Sequence, residues 1–168
     1  MAHNHLHFLR TIMKLFNQLL FASALTLASV SSANAHEIKI GKLVIHHPWI
    51  RQPVGSATVA AGFTKIDNTG TEDDTLLKVT VEGVTTVQIH DMKMEGETMK
   101  MAEMNDGLVI PAGKSVELKP KSLHIMMMGL KSAFMVGEEV KGTFTFAKAG
   151  AVDLDFEVVA PDGQAHIH

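Results

Sequence analysis

Two histidines and a run of methionines carry the chemistry open to this chain. His90, Met92 and Met94 alternate at every second position; Met99 and Met101 repeat that step, and so do His124, Met126 and Met128. In extended backbone, residues two apart share one face and stand roughly 6.5–7 Å from each other. Side chains from three such segments can meet on one ion. Thioether sulfur is soft and uncharged, a poor ligand for Mg2+, Ca2+ or Zn2+, and in company with imidazole it selects Cu(I). Cu(I) is d10 and accepts three or four ligands with little geometric demand, so donors from separate segments can serve it. Thioether also suits an oxidising compartment, because it is not lost to a disulfide, although it stays open to sulfoxidation.

The competing use of methionine is as a core gap-filler. Of eleven methionines, nine fall between Met92 and Met135, and such clustering is not what core filling alone requires. Two histidines each lead a His-x-Met, which shifts the balance toward metal. Met127 points away from the His124/Met126 side and is expected in the core; Met104 and Met135 fit either use. The chain has no cysteine, which removes zinc–thiolate sites, thiol redox chemistry and blue-copper electron transfer.

The elements that must position these residues follow a secretory segment. Leu15 to Val30 is apolar, Arg10 and Lys14 precede it, and Ala33-Asn34-Ala35 offers small residues for a signal peptidase. That is the pattern of a signal peptide, expected to span 1–35 and to be cleaved after Ala35. The expected location is the periplasm, with no membrane span after cleavage. A cleaved chain of 133 residues is one domain's worth, here 36–160 followed by a flexible tail, 161–168. Loss of Arg10 and Lys14 from 15 Lys+Arg against 18 Asp+Glu leaves a net charge of −5. No basic stripe exists, so nucleic acid is not expected as a partner.

From Lys39 onward the chain reads as short strands between turns. Candidate strands are Lys39–Ile45, Thr58–Ile66, Thr75–Val81, Thr85–His90, Met99–Met104, Ser115–Lys119, Ser122–Met128, Val140–Phe146 and Val152–Val159. Turns are expected at Asp67-Asn68-Thr69-Gly70, Glu82-Gly83, Glu95-Gly96-Glu97, Asn105-Asp106-Gly107 and Ala149-Gly150. Strands of this length with no 3.6-residue stripe predict an all-β sandwich or barrel.

At these residues the chain resembles the PCuAC periplasmic copper chaperones, whose motif is H(M)-x10-M-x21-H-x-M. His90 is followed by ten residues and then Met101, and His124-Ile125-Met126 supplies His-x-Met. Twenty-two residues separate Met101 from His124, one more than the motif, and the turn Asn105-Asp106-Gly107 is where the extra residue fits. Trp49-Ile50-Arg51, Ala60-Ala61-Gly62-Phe63, Leu108–Lys114 and His124–Leu130 extend the resemblance over about residues 44 to 147. It implies a cupredoxin-like Greek-key β-sandwich and one Cu(I) held by His90, Met101, His124 and Met126. It also implies delivery of copper toward the CuA centre of cytochrome c oxidase, with oxidase subunit II or another copper chaperone as acceptor.

Other readings stay open on the residues alone. They are copper sequestration without an oxidase client, a secreted interaction sandwich whose Met face packs a partner, and a copper enzyme using His36. No nucleophile–base set is visible, so a carrier is expected in place of an enzyme, and a monomer. His46-His47-Pro48 reads as a surface pair. His36, His166 and His168 could give weak Cu(II) binding at the termini.

Overall fold

The structure, a computed structural model, describes residues 37–162. The signal segment 1–35, His36, and tail residues 163–168 with His166 and His168 lie outside the described residues. Every described element is a β-strand: β1 Glu37–Ile40, β2 Leu43–Arg51, β3 Val59–Asn68, β4 Asp74–Val81, β5 Val84–Glu95, β6 Thr98–Glu103, β7 Leu108–Ile110, β8 Ser115–Leu118, β9 His124–Leu130, β10 Glu139–Phe146 and β11 Gly150–Val159. The expected single strand Lys39–Ile45 is therefore two strands. Gly41, at φ +57°, turns the chain with Lys42, and β1 folds back on β2 so that Glu37 pairs His46. β5 also runs five residues beyond His90, farther than its β-branched run suggested.

The strands hydrogen-bond in the order β6-β5-β9-β3-β2-β11-β10-β4-β7, with β1 beside β2 and β8 beside β3. Only β11 and β2 run parallel; the other pairings are antiparallel. The path curls so that its two halves share one core. Ile89, Ile125 and Met127 from β5 and β9 join Val79, Phe144, Phe156 and Val158 from the other half. This is the expected cupredoxin-like all-β fold. Alternation drives it: on β10, Val140, Gly142, Phe144 and Phe146 are buried and the residues between them are not. Each large apolar side chain taken from water contributes about 1.5–3 kcal/mol. Gly62 lets Met127 pack close to β3: an added Cβ would lie 2.7 Å from Met127 Cε and would oblige that side chain to shift.

The β5–β6 hairpin stands at the end of the path. Its two-residue loop is Gly96-Glu97, with Glu95 paired to Thr98. Gly96 takes φ +64° in the first central position, the conformation that a type II′ hairpin turn demands of glycine. All six residues of β6 are exposed.

Candidate metal centre

The centre is built on the outer faces of β9, β5 and β6. On β9, Ile125 and Met127 turn into the core, so His124, Met126 and Met128 face the other way. On β5, Ile89 is the buried residue and His90 lies on the opposite face with Gln88 and Met92. The antiparallel register sets His90 directly against His124, and Gln88 against Met126. On the other edge of β5, His90 pairs Glu103, Met92 pairs Met101 and Met94 pairs Met99.

Of the four residues expected as ligands, the two histidines are thus immediate cross-strand neighbours. Met126 lies one rung to one side of them and Met101 one rung to the other. His124 is buried, at 5% exposure, whereas Met101 is 48% exposed. Metal–imidazole bonds of about 2.0–2.1 Å put the centroids of two rings sharing one ion roughly 5–6.5 Å apart. Those of His90 and His124 are 5.7 Å apart, at 67° to one another.

The neighbours of both rings fix which nitrogen bears the N–H of the neutral form. Glu103 Oε2 can only accept, so the 2.8 Å contact makes Gln88 Nε2 the donor. The carbonyl Oε1 of Gln88 is then what faces His90 Nε2 at 3.0 Å, and that nitrogen must carry the proton. His90 Nδ1 is left with its lone pair, buried and without a hydrogen-bond partner. His124 Nδ1 donates to the Ser122 carbonyl at 2.8 Å, leaving Nε2 its lone pair. Each ring is therefore oriented, with its other nitrogen turned from that acceptor, in the way outer-shell partners orient metal ligands. Burial, and then the neighbouring His124, push the pKa of His90 below the ordinary imidazole value, with Glu103 opposing. A neutral ring is the ligand-competent one.

An aromatic pair lies on the strands that follow β9 in the sheet, β3 and β2. Gly62 pairs Ile125, so the next residue along, Phe63, stands beside His124. Phe63 stacks on Trp49 with centroids 4.4 Å apart, and the Arg51 guanidinium lies over both rings, 5.4 Å from Phe63 and 6.0 Å from Trp49. Among the described residues no three of His, Cys, Asp and Glu come together to hold an ion. The further donors facing the two histidines on the neighbouring rungs are thioethers.

Sequence reading missed Gln88, Glu103 and the Ser122 carbonyl. Gln88 and Glu103 each sit two positions from an expected ligand, so the same period-2 argument could have found them. His46 and His47 are not a free surface pair. His46 lies between Asp67 Oδ2 at 2.8 Å and Glu37 Oε1 at 3.2 Å, and His47 sits in a bulge at φ +43°, 3.4 Å from Glu157. Met127 is fully buried, Met104 packs against the core, and Met135 is exposed.

Known proteins bear on this arrangement. The family model described as "Putative lipoprotein LpqE-like" matches residues 43–158, which contain the whole centre. The apo PCuAC domain from PmoF1 is 30% identical, covered over 100% of its length by 75% of this chain, with a TM-score of 0.65. The chain belongs to the LpqE-like family and carries a PCuAC domain. The copper-bound PCuAC domain from PmoF2 is 28% identical over 75% of this chain and 99% of that one, with a TM-score of 0.64. A protein of Leifsonia xyli subsp. xyli named "Putative lipoprotein Lxx21020" is 31% identical over 99 residues. That match spans 59% of this chain and 58% of the relative's length. The PCuAC domain here places its two expected histidines and two expected methionines on one outer surface, at the end of the sheet that carries the exposed hairpin.

Proposed function

We propose that this protein is a copper carrier that holds one Cu(I) at His90, Met101, His124 and Met126 and hands it to an acceptor protein. The observation that carries the reading is the pair of facing imidazoles, each with one nitrogen hydrogen-bonded to a neutral acceptor, and with His90 Nδ1 buried and unpartnered. Thioethers on the rungs to either side make the donor set soft, which favours Cu(I) over Zn2+. A copper-bound structure of a PCuAC domain 28% identical to this chain supports the same cargo.

The carrier works in the periplasm, exported by the segment ending at Ala35, and its acceptor is the CuA site of cytochrome c oxidase or a second chaperone. Release is by ligand exchange. The exposed Met101 sulfur gives way first to an incoming donor, while the buried His124 lets go last. No redox or proton-transfer chemistry is assigned to the protein, which acts as a carrier and not an enzyme.

The test is an anaerobic Cu(I) titration against a competing chelator, followed by transfer to a purified CuA domain. Met101→Leu and Met126→Leu keep volume and remove one sulfur each, and both are expected to weaken Cu(I) binding. Parent affinity in both variants overturns the ligand set. Transfer to the acceptor faster than dissociation into buffer supports a carrier; equal rates with and without acceptor point to sequestration.

A further inference from the structure

The β5–β6 hairpin carries more thioether than one four-ligand site uses. Beyond the His90 rung, Met92 stands directly opposite Met101, and Met94 directly opposite Met99. Residues directly opposed in an antiparallel pair have Cβ atoms about 4.5–5.5 Å apart, and alternation puts all four on the face that bears His90. Methionine is unbranched and flexible, so the sulfurs of two adjoining rungs can reach one ion.

Core packing does not account for them. Met94 is 60% exposed and Met99 44%. Nor are they scattered as tolerated surface residues would be. The opposite face of the same hairpin carries Asp91, Lys93, Glu95 and Lys100, with Lys93 3.1 Å from Asp91 and Lys100 paired to Glu95. One face is charged and solvated; the other is thioether out to the tip.

We propose that Met92, Met94 and Met99 form a second, outer Cu(I) subsite at the hairpin tip. This rests on the reading of the inner centre given above. The outer subsite fills after the inner one, because it has thioethers and no imidazole. It exchanges its ion with the inner centre through Met101, which shares a rung with Met92. Each step replaces one Cu–thioether bond by another on the same Cu(I), so no electron or proton moves. The Met94/Met99 rung lies two two-residue steps from the His90/His124 rung, with the Met92/Met101 rung between them, each step roughly 6.5–7 Å along the strand. The hairpin is thus a short track from solvent, or from a docked acceptor, to the His90/His124 rung.

The experiment is an anaerobic Cu(I) titration of the full chain labelled with 13C at the methionine methyls, repeated with Ag(I) as a redox-inert analogue. The first equivalent is expected to shift the methyls of Met101 and Met126. The second, bound more weakly, is expected to shift those of Met92, Met94 and Met99. Met94→Leu/Met99→Leu is expected to abolish the second event and leave first-equivalent affinity within about twofold, as exposed, volume-conserving changes away from the inner ligands should. It should also slow transfer to an acceptor. A parent that takes up no second equivalent, or a double variant that keeps it, overturns the outer subsite while the inner centre stands. A first equivalent that moves Met94 and Met99 instead of Met101 and Met126 overturns the inner ligand set, and the loading order with it.

Discussion

His46 and His90 are both half-buried histidines on strands of the same sheet, yet they are opposites chemically. Both nitrogens of His46 are committed to carboxylates, Asp67 on β3 and Glu37 on β1. Neither nitrogen is free to face an ion, and the ring ties β1 and β3 to β2. His90 has no carboxylate on either nitrogen; the nearby Glu103 is held off by Gln88, which presents only its carbonyl. The lesson is that a histidine becomes a ligand through what its second nitrogen touches. An anion at both ends makes a clamp; a neutral acceptor at one end and nothing at the other makes a donor.

The largest expected effect is the one that separates these two histidines outright. His90→Ala/His124→Ala should lose Cu(I) affinity by more than the roughly 10–100-fold that follows loss of an outer-shell partner. His46→Ala should leave it unchanged in the same chelator competition. A copper loss on His46→Ala comparable to that of the double variant would erase the distinction.

Next in size is the pin itself. Gln88→Ala frees the His90 ring to rotate and change tautomer without removing a ligand, and should weaken Cu(I) about 10–100-fold. Nitrogen-15 spectra of the apo protein check the cause. In the parent the proton sits on Nε2 of His90, and in the variant it should be shared between the two nitrogens.

Acidification gives a smaller, graded effect. Protons compete with Cu(I) for the imidazoles, so affinity should fall with pH and then level off, because the thioethers do not titrate. For the apo protein the sign follows from the lowered pKa of folded His90. As pH falls through the ordinary imidazole range, near ~6.5, the unfolded chain takes the proton before the folded one, which favours unfolding. This group's effect is therefore absent above that range and destabilising below it. Urea midpoints from pH 8 to pH 5 should show that slope in the parent and a shallower one in His90→Gln.

The smallest effect belongs to the clamp. Burial alone would raise the Asp67 pKa, but hydrogen bonds from Ser115, Lys65 and His46 outweigh it and hold it at about 2. Its contribution is full above the ordinary carboxylate range and is lost as pH falls toward about 2. Asp67→Asn should flatten acid unfolding in that window without touching copper binding. An unchanged acid limb would deny the clamp its role.

The sequence alone determined the donor types and which of them share a face. Period-2 alternation is a local property of extended backbone, so His124 and Met126 could be set apart from Met127, and Met127 is indeed buried while Met126 faces outward. The cysteine-free, methionine-clustered composition likewise limited the ion to a soft one before any contact was known. The split of Lys39–Ile45 into two strands was less legible, because Gly41-Lys42 is a weak turn signal within an otherwise alternating run. What only the tertiary structure decided is which strands are neighbours. His90 and His124 are 34 positions apart, and their meeting depends on β5 pairing β9, a non-local choice that no short window encodes. The same holds for His46, whose two carboxylates arrive from separate strands, and for Met94 and Met99. Those two lie exposed at the sheet's end, where among the described residues no further strand pairs beyond β6. Burial and the identity of the second hydrogen-bond partner are properties of packed surfaces, and packing brings together residues that the chain keeps apart.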